Sequence, residues 1–209
     1  MYKFKPTFKV TGQMPEFSEE VIKVEPMFFS ATKKFALEHC GIITKTFIDN
    51  FLNDEDDWII DSRVHMLKNG WYPCMPGWHH DDVPIDSLTN QPNYDTPEYF
   101  ATHKFCVIGK SSMTEFLNCE TEMPKVETVF YKDWNDIIKE KYTNTDTIFR
   151  VNSGNVVDFN WQDFHRGVEC SLDFCWRYFI RASSQTKREF KNEIRTQVQI
   201  YLVNPETGW

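Results

Sequence analysis

Histidine and aspartate recur at close spacing in one short stretch of this 209-residue chain. His79 precedes Asp81 by two positions, and His80 precedes Asp82 in the same way. Side chains two apart on a β-strand point to the same face, so either pair offers an imidazole nitrogen and a carboxylate oxygen to one metal ion. The two pairs point to opposite faces, and only one of them can supply ligands. A polar loop with hydrogen-bonded histidines is the alternative interpretation.

A second polar group lies further along the chain, at His165 and on the segment from Phe174 to Ser183. Alternation along that segment puts Arg177, Arg181 and Ser183 on one face. Inward-facing arginines need an anion, and a guanidinium binds a carboxylate through two hydrogen bonds. Because the two arginines are about 13 Å apart along a strand, we expect each to bind a different group.

Short β-rich segments separated by turn signals must position these residues, a pattern typical of a sandwich or barrel. We predict a single domain, with a lead-in and helix over residues 1–57 and a β-rich sandwich or barrel core over residues 58–209. Ser30 is predicted to cap a helix from Ala31 to Cys40, and Asp133 a helix that ends before Asn144. The predicted strands are Trp58 to Leu67, Lys104 to Ile108, Met113 to Leu117, Val126 to Tyr131, Thr147 to Val151, Val156 to Phe159, Phe174 to Ser183 and Gln197 to Val203.

Two other groups of residues receive weaker predictions. Arg63 and His65 alternate with Val64 and Met66, so their face meets either the same cavity or solvent. His103 has no acidic neighbour in sequence, and we predict a surface or turn position for it.

In order and spacing, these motifs resemble the iron(II)- and 2-oxoglutarate-dependent dioxygenases. The family has a His-x-Asp pair, a distal histidine and an arginine on the next strand, matched here by His79, Asp81, His165 and Arg177. Arg177 and Arg181 also repeat the Arg-x-x-x-Arg spacing of the taurine dioxygenase and clavaminate synthase branch. The similarity covers roughly residues 58 to 183.

The resemblance implies a mainly β fold with a few flanking helices, a double-stranded β-helix of the cupin-like, jelly-roll type. Its cofactors would be Fe(II), 2-oxoglutarate and O2. The implied reaction oxidises a C–H bond of a substrate, as a hydroxylation, with release of succinate and CO2. Two imidazoles and one carboxylate would occupy one face of the iron and leave the other positions open.

The resemblance also implies roles for individual residues. The metal ligands would be His79, Asp81 and His165. His80 and Asp82 form the alternative register, which we disfavour because the family commonly places an aromatic or small residue before the first ligand, as Trp78 does here. Among the residues near the cosubstrate, Arg177 would bind its far carboxylate, and Thr114, on a strand after the His-x-Asp segment, would also contact it. Arg181 would meet the substrate or close the pocket with Ser183.

Composition limits the partners. The net charge of -8 disfavours nucleic acid, which needs a surplus of Lys and Arg on one face. No apolar run suits a membrane span or a secretory signal, so we expect a cytoplasmic protein with reduced cysteines and no membrane partner. The expected partner is a small-molecule substrate. The sequence does not indicate an oligomeric state. The competing hypotheses are a cupin-like binding protein without turnover and an oxygenase acting on nucleobases.

Overall fold

The computed structural model describes residues 1–54, 57–125, 131–144 and 146–203. The helices are α1 (Glu19–Val24), α2 (Lys33–His39), α3 (Ile42–Phe51) and α4 (Tyr131–Lys141). The strands are β1 (Tyr2–Phe4), β2 (Lys9–Gln13), β3 (Met27–Phe29), β4 (Ala31–Thr32), β5 (Ile59–Lys68), β6 (Thr102–Gly109), β7 (Thr114–Leu117), β8 (Thr121–Met123), β9 (Ile148–Arg150), β10 (Asn155–Asn160), β11 (His165–Gly167), β12 (Phe174–Ser184) and β13 (Glu193–Arg195).

Two antiparallel sheets form the body of the fold. The larger sheet has six strands in the order β2-β10-β6-β12-β5-β4, and the smaller has the order β11-β7-β9. Strand β12 is a central strand of the larger sheet, since it pairs with β5 on one side and β6 on the other over most of its length. The pairs β1-β8 and β13-β3 form two small additional sheets.

Alternation along β12 explains how one strand serves two environments. Tyr178, Ile180 and Ala182 are buried in an apolar cluster with α2 and α3, on the outer face of the larger sheet. The other face, with the arginines, points between the sheets, where Phe105 of the larger sheet packs on Phe116 of the smaller one at 5.7 Å between ring centroids. The predicted fold class, a mainly β jelly-roll barrel with few helices, is confirmed.

The first predicted helix is displaced at its start. Helix α2 begins at Lys33, and the cap is the Thr32 hydroxyl, which accepts a hydrogen bond from Phe35 N at 3.1 Å. Ser30 has a φ of 47° and precedes a short strand instead, because Ala31 and Thr32 pair with β5. Ala31 and Thr32, which local propensity assigns to the helix, therefore form a strand that pairs with β5.

Other segment predictions need correction too. Helix α4 begins at Tyr131, so Asp133 lies in its first turn, where a negative charge is favourable, and is not a cap. No strand forms between Gln197 and Val203, where Tyr201 makes a single bridge to Tyr72. Apart from Tyr131, the strand predicted at 126–131 lies outside the described residues.

The N-terminal segment is integral to the barrel. Strand β2, from the predicted lead-in, forms the edge of the larger sheet against β10, and Met14 N donates to Gly154 O at 2.7 Å. Asp163 holds the residues just before β2 in place, because its carboxylate accepts hydrogen bonds from Thr7 and Phe8. None of the described helices is long and apolar enough to span a bilayer.

Candidate metal and cosubstrate site

Three potential metal ligands converge between the sheets. One ligand atom from each of His79, Asp81 and His165 lies within 4.8 Å of the other two. His165 Nε2 is 3.2 Å from Asp81 Oδ2, and the two imidazole rings are 4.6 Å apart between centroids. The structure thus brings together the three residues predicted as ligands, from segments separated by about 85 positions in sequence.

A pair of backbone hydrogen bonds sets this arrangement. His79 N donates to His165 O at 3.0 Å, and His165 N donates to His79 O at 3.1 Å, which holds the two residues in an antiparallel bridge. The predicted strand through His79 and Asp82 does not form beyond this bridge. The chain turns instead, with Asp82 at a φ of 49°, a left-handed conformation that aspartate tolerates better than most residues.

Hydrogen bonds to backbone carbonyls orient both imidazoles. His79 Nδ1 lies 2.9 Å from Gly77 O, and His165 Nδ1 lies 2.9 Å from Asp163 O. A carbonyl oxygen only accepts, so each Nδ1–H donates to it, and Nε2 is the ring nitrogen left for a metal ion. Metal-binding histidines are typically oriented this way. Burial, with His165 adjacent, lowers the pKa of His79 to about 4, which keeps this imidazole neutral at pH 7.

Arg181 neutralises the carboxylate of the cluster. Its Nη1 donates to Asp81 Oδ2, and its Nη2 lies 3.7 Å from Asp61 Oδ2. Burial alone would raise the pKa of Asp81, but Arg181 and the neighbouring imidazoles hold it well below its ordinary value. The aspartate is therefore ionised, as a metal ligand must be. This ion pair differs from the predicted place of Arg181, which was toward the substrate.

The alternative register lies away from the cluster. His80 Nδ1 is 2.8 Å from the Tyr94 hydroxyl, and the His80 ring lies on Phe164 at 3.8 Å between centroids. Asp82 is 3.7 Å from Arg188 and 4.0 Å from His103. His80 is thus part of an aromatic core, and neither residue of this register reaches the three clustered ligand atoms.

A cavity of about 140 Å³ adjoins the cluster. Arg177 lies in its wall and is 3% exposed. Its Nε donates to Ser112 O at 2.8 Å, a carbonyl that Ser112 presents from a left-handed conformation with a φ of 60°. Within the described part of the chain, the guanidinium has no carboxylate partner. The cavity therefore contains a buried positive charge that is bonded to no carboxylate of the described residues.

The other two predicted cosubstrate residues occupy different places. Thr114 lines the cavity, opposite Gly167 in the smaller sheet. Ser183 does not line it, because six residues of strand carry it about 20 Å beyond Arg177. Its Oγ is 2.9 Å from His103 Nδ1. His103 is 2% exposed on β6, so the predicted surface or turn position is wrong.

Several further cavity residues follow from the strand register. Arg63 and His65 face the cavity, which decides between the two faces that the sequence left open, and Asp61 joins them from the same face of β5. Alternation was the available signal for these three. Cys74 gave no signal, since it lies in a loop; a Cβ on Gly167 would meet its Sγ at 2.6 Å, so only glycine fits there.

Comparisons with known proteins add little to this geometry. No protein-family model matches the sequence, and no curated protein matches it. Among solved structures, EvdO2 from Micromonospora carbonacea var. aurantiaca complexed with 2-oxoglutarate aligns with a TM-score of 0.37 and 13% identity. The alignment covers 70% of this chain and 60% of that chain.

Proposed function

We propose that this protein is an iron(II)- and 2-oxoglutarate-dependent dioxygenase that oxidises a C–H bond of a small molecule. The observation that carries the proposal is one cavity wall with two features. It has a cluster of two imidazoles and one carboxylate, and it has a buried guanidinium without a protein anion. The first feature suits a divalent metal ion, and the second suits a carboxylate.

The residues fit iron(II) by the chemistry of the donor set. His79 and His165 would each bind it through Nε2, and Asp81 through a carboxylate oxygen. Two imidazoles and one carboxylate are the donors of non-haem iron oxygenases. Once bound, iron(II) would supply the reaction of O2 with 2-oxoglutarate, in which one oxygen atom enters succinate with loss of CO2 and the other enters the substrate.

Arg177 would hold the cosubstrate. Its Nη atoms are left for a ligand, since among the residues that the structure describes only Ser112 O accepts a hydrogen bond from this side chain, at Nε. A carboxylate accepts two parallel hydrogen bonds from such a group, and 2-oxoglutarate has a second carboxylate with an adjacent keto group for the metal. Thr114 lines the same cavity and can donate its hydroxyl to an anion.

Arg181 would act through Asp81. A guanidinium bonded to Asp81 Oδ2 keeps the carboxylate ionised and fixes its orientation beside His165. Residues that support metal ligands in this way are positioning residues, and their removal weakens metal affinity. Phe105, Phe159 and Phe179 complete the wall and would shield the reaction from water.

Succinate formation tests the proposal. The protein is incubated with Fe(II), ascorbate and 2-oxoglutarate in air, and succinate is measured by mass spectrometry with and without small-molecule mixtures. We expect succinate from the parent protein, little from His165→Ala, and near-parental amounts from the control Arg150→Gln. Arg150 pairs with Glu115, and the Arg150 side chain is 67% exposed.

The same experiment separates the enzyme from a binding protein of the same fold. A cupin-like binding protein would take up one metal ion per chain but form no succinate above the level of His165→Ala. That outcome, at saturating iron and 2-oxoglutarate, would contradict the proposed function.

A further inference from the structure

The inner faces of β5 and β12 meet in three rows across the cavity wall. Three pairs of opposed side chains form these rows: Asp61 with Arg181, Arg63 with Phe179, and His65 with Arg177. Arg63 is thus a diagonal neighbour of both Arg177 and Arg181, with Cβ atoms about 7–8 Å apart in an antiparallel pair. Three guanidinium groups share one small surface.

Of these three arginines, Arg63 has the fewest partners. Arg181 bonds Asp81 and lies 3.7 Å from Asp61, and Arg177 bonds the carbonyl of Ser112. Arg63 makes no hydrogen bond, ion pair or ring contact with any residue that the structure describes. Its charge lowers the pKa of Arg177, because the two cations repel each other.

Charge balance indicates a second anion. The charged side chains that line the cavity are Arg63, Arg177, Arg181, Asp61 and Asp81. Three positive charges thus face two negative ones, and Arg188 takes up part of the charge of Asp61 through a contact of 2.6 Å. A divalent iron and the 2-oxoglutarate dianion cancel each other. One positive charge then remains, and Arg63 is the arginine of this wall that has no partner among the described residues.

The rest of the wall describes the ligand further. Burial, with Arg177 and Arg63 close by, lowers the pKa of His65 to about 3, so this imidazole is uncharged at pH 7 and adds no further positive charge to the wall. Phe105, Phe159 and Phe179 provide apolar surface. At about 140 Å³ the cavity is smaller than the 300–1,000 Å³ of typical ligand pockets, so the ligand must be small or enter by one end.

We propose that Arg63 recognises an acidic group on the substrate, which is therefore a small organic acid, or the acidic end of a larger molecule, with an apolar body. This inference rests on the proposed function, because it assigns the second anion to the substrate after 2-oxoglutarate has taken Arg177. Carboxylate, sulfonate and phosphate groups share the required chemistry, since each accepts paired hydrogen bonds from a guanidinium.

Calorimetric titration tests the assignment without turnover. The protein is loaded with Mn(II) and 2-oxoglutarate under nitrogen, and four probes are titrated: pentanoate, butane-1-sulfonate, butyl phosphate and the uncharged pentanamide. We expect at least one acid to bind about tenfold or more tightly than pentanamide. Which acid binds best distinguishes the three head groups.

Variants of Arg63 complete the experiment. Arg63→Gln should weaken binding of that acid about tenfold or more, and Arg63→Lys should retain part of it as a point charge. Both variants should bind 2-oxoglutarate within about twofold of the parent protein, because the cosubstrate is held elsewhere. Arg150→Gln, at an arginine outside the cavity, is the matched control for loss of one positive charge.

Three results would overturn the inference. They are equal binding of acids and pentanamide, undiminished acid binding by Arg63→Gln, and a loss of 2-oxoglutarate affinity in Arg63→Gln that would assign Arg63 to the cosubstrate. Failure of the proposed function is seen separately, because 2-oxoglutarate is titrated first. A protein that binds no 2-oxoglutarate but binds the acid through Arg63 with Mn(II) alone would be a binding protein for small acids.

Discussion

Replacing Arg177 should separate ligand affinity from folding stability. The side chain is 3% exposed, and within the described residues its one hydrogen bond is from Nε to Ser112 O. Burial, with Arg63 adjacent, lowers the pKa of Arg177 from 12.5 to about 10. That shift corresponds to about 3 kcal/mol of unfavourable surroundings for the cation, which a bound carboxylate would relieve.

Arg177→Gln should therefore weaken 2-oxoglutarate binding strongly. Losing a shielded, bidentate charged pair costs about 2–5 kcal/mol, which is about 30- to 5,000-fold in the dissociation constant. The ligand-free variant should unfold at the same temperature as the parent or higher, because a buried charge is removed that has no carboxylate partner among the described residues. Most mutations that merely damage the fold lower stability instead.

Two measurements decide this prediction. Anaerobic calorimetry with Mn(II) gives the 2-oxoglutarate dissociation constant, and thermal unfolding without ligand gives the stability. Arg177→Lys keeps the positive charge but loses the paired N–H donors, so its dissociation constant for 2-oxoglutarate should lie between those of the parent and Arg177→Gln. If Arg177→Gln bound 2-oxoglutarate within about twofold of the parent while folded, the cosubstrate would not be held by this residue.

Three further outcomes follow from the site. His79→Ala should lose Mn(II) binding, while His80→Ala should retain it but lower the free energy of unfolding by about 2–5 kcal/mol, because a buried ring that packs on Phe164 is removed; the reverse pattern would move the site by one residue. Arg181→Met should weaken Mn(II) affinity about 10- to 100-fold, because Asp81 loses its supporting hydrogen bond, and parental affinity would show that this support is dispensable. The folded pKa of His65 is about 3, below its ordinary 6.5, so the unfolded chain binds a proton below pH 6.5 that the folded chain does not. Between pH 7 and pH 5 this group should therefore lower the free energy of unfolding by about 2 kcal/mol, as measured by urea unfolding. If His65→Gln showed the same dependence of stability on pH as the parent, the prediction would be wrong.

His-x-Asp spacing predicted two overlapping candidate pairs, and the family resemblance, with Trp78 before the first ligand, favoured His79 and Asp81 together with His165. The same information could not say which residues support them. The partners of Arg181, Asp81 and Asp61, are 100 and 120 positions away. The register of β12 against β5 brings Asp61 to Arg181, and Asp81 follows the bridge between His79 and His165.

Register also explains what the sequence missed or placed wrongly. His103 has no acidic neighbour in sequence, but β6 pairs it with Ser183 across the sheet, which buries both in a hydrogen bond. Strand length placed Ser183 beyond the cavity, although alternation correctly put it on the inner face. A period of two gives the face of a strand, whereas the distance along the strand decides which side chains share a cavity.

Anaerobic titration of the parent protein with Fe(II), followed by 2-oxoglutarate, tests the central claim most directly. We expect one Fe(II) per chain, and a visible charge-transfer band that grows on addition of 2-oxoglutarate and saturates at one equivalent. The band should be absent in His165→Ala and present in Arg150→Gln. A protein that bound no divalent metal stoichiometrically, or that bound iron with no spectral response to 2-oxoglutarate, would contradict the assignment of this site.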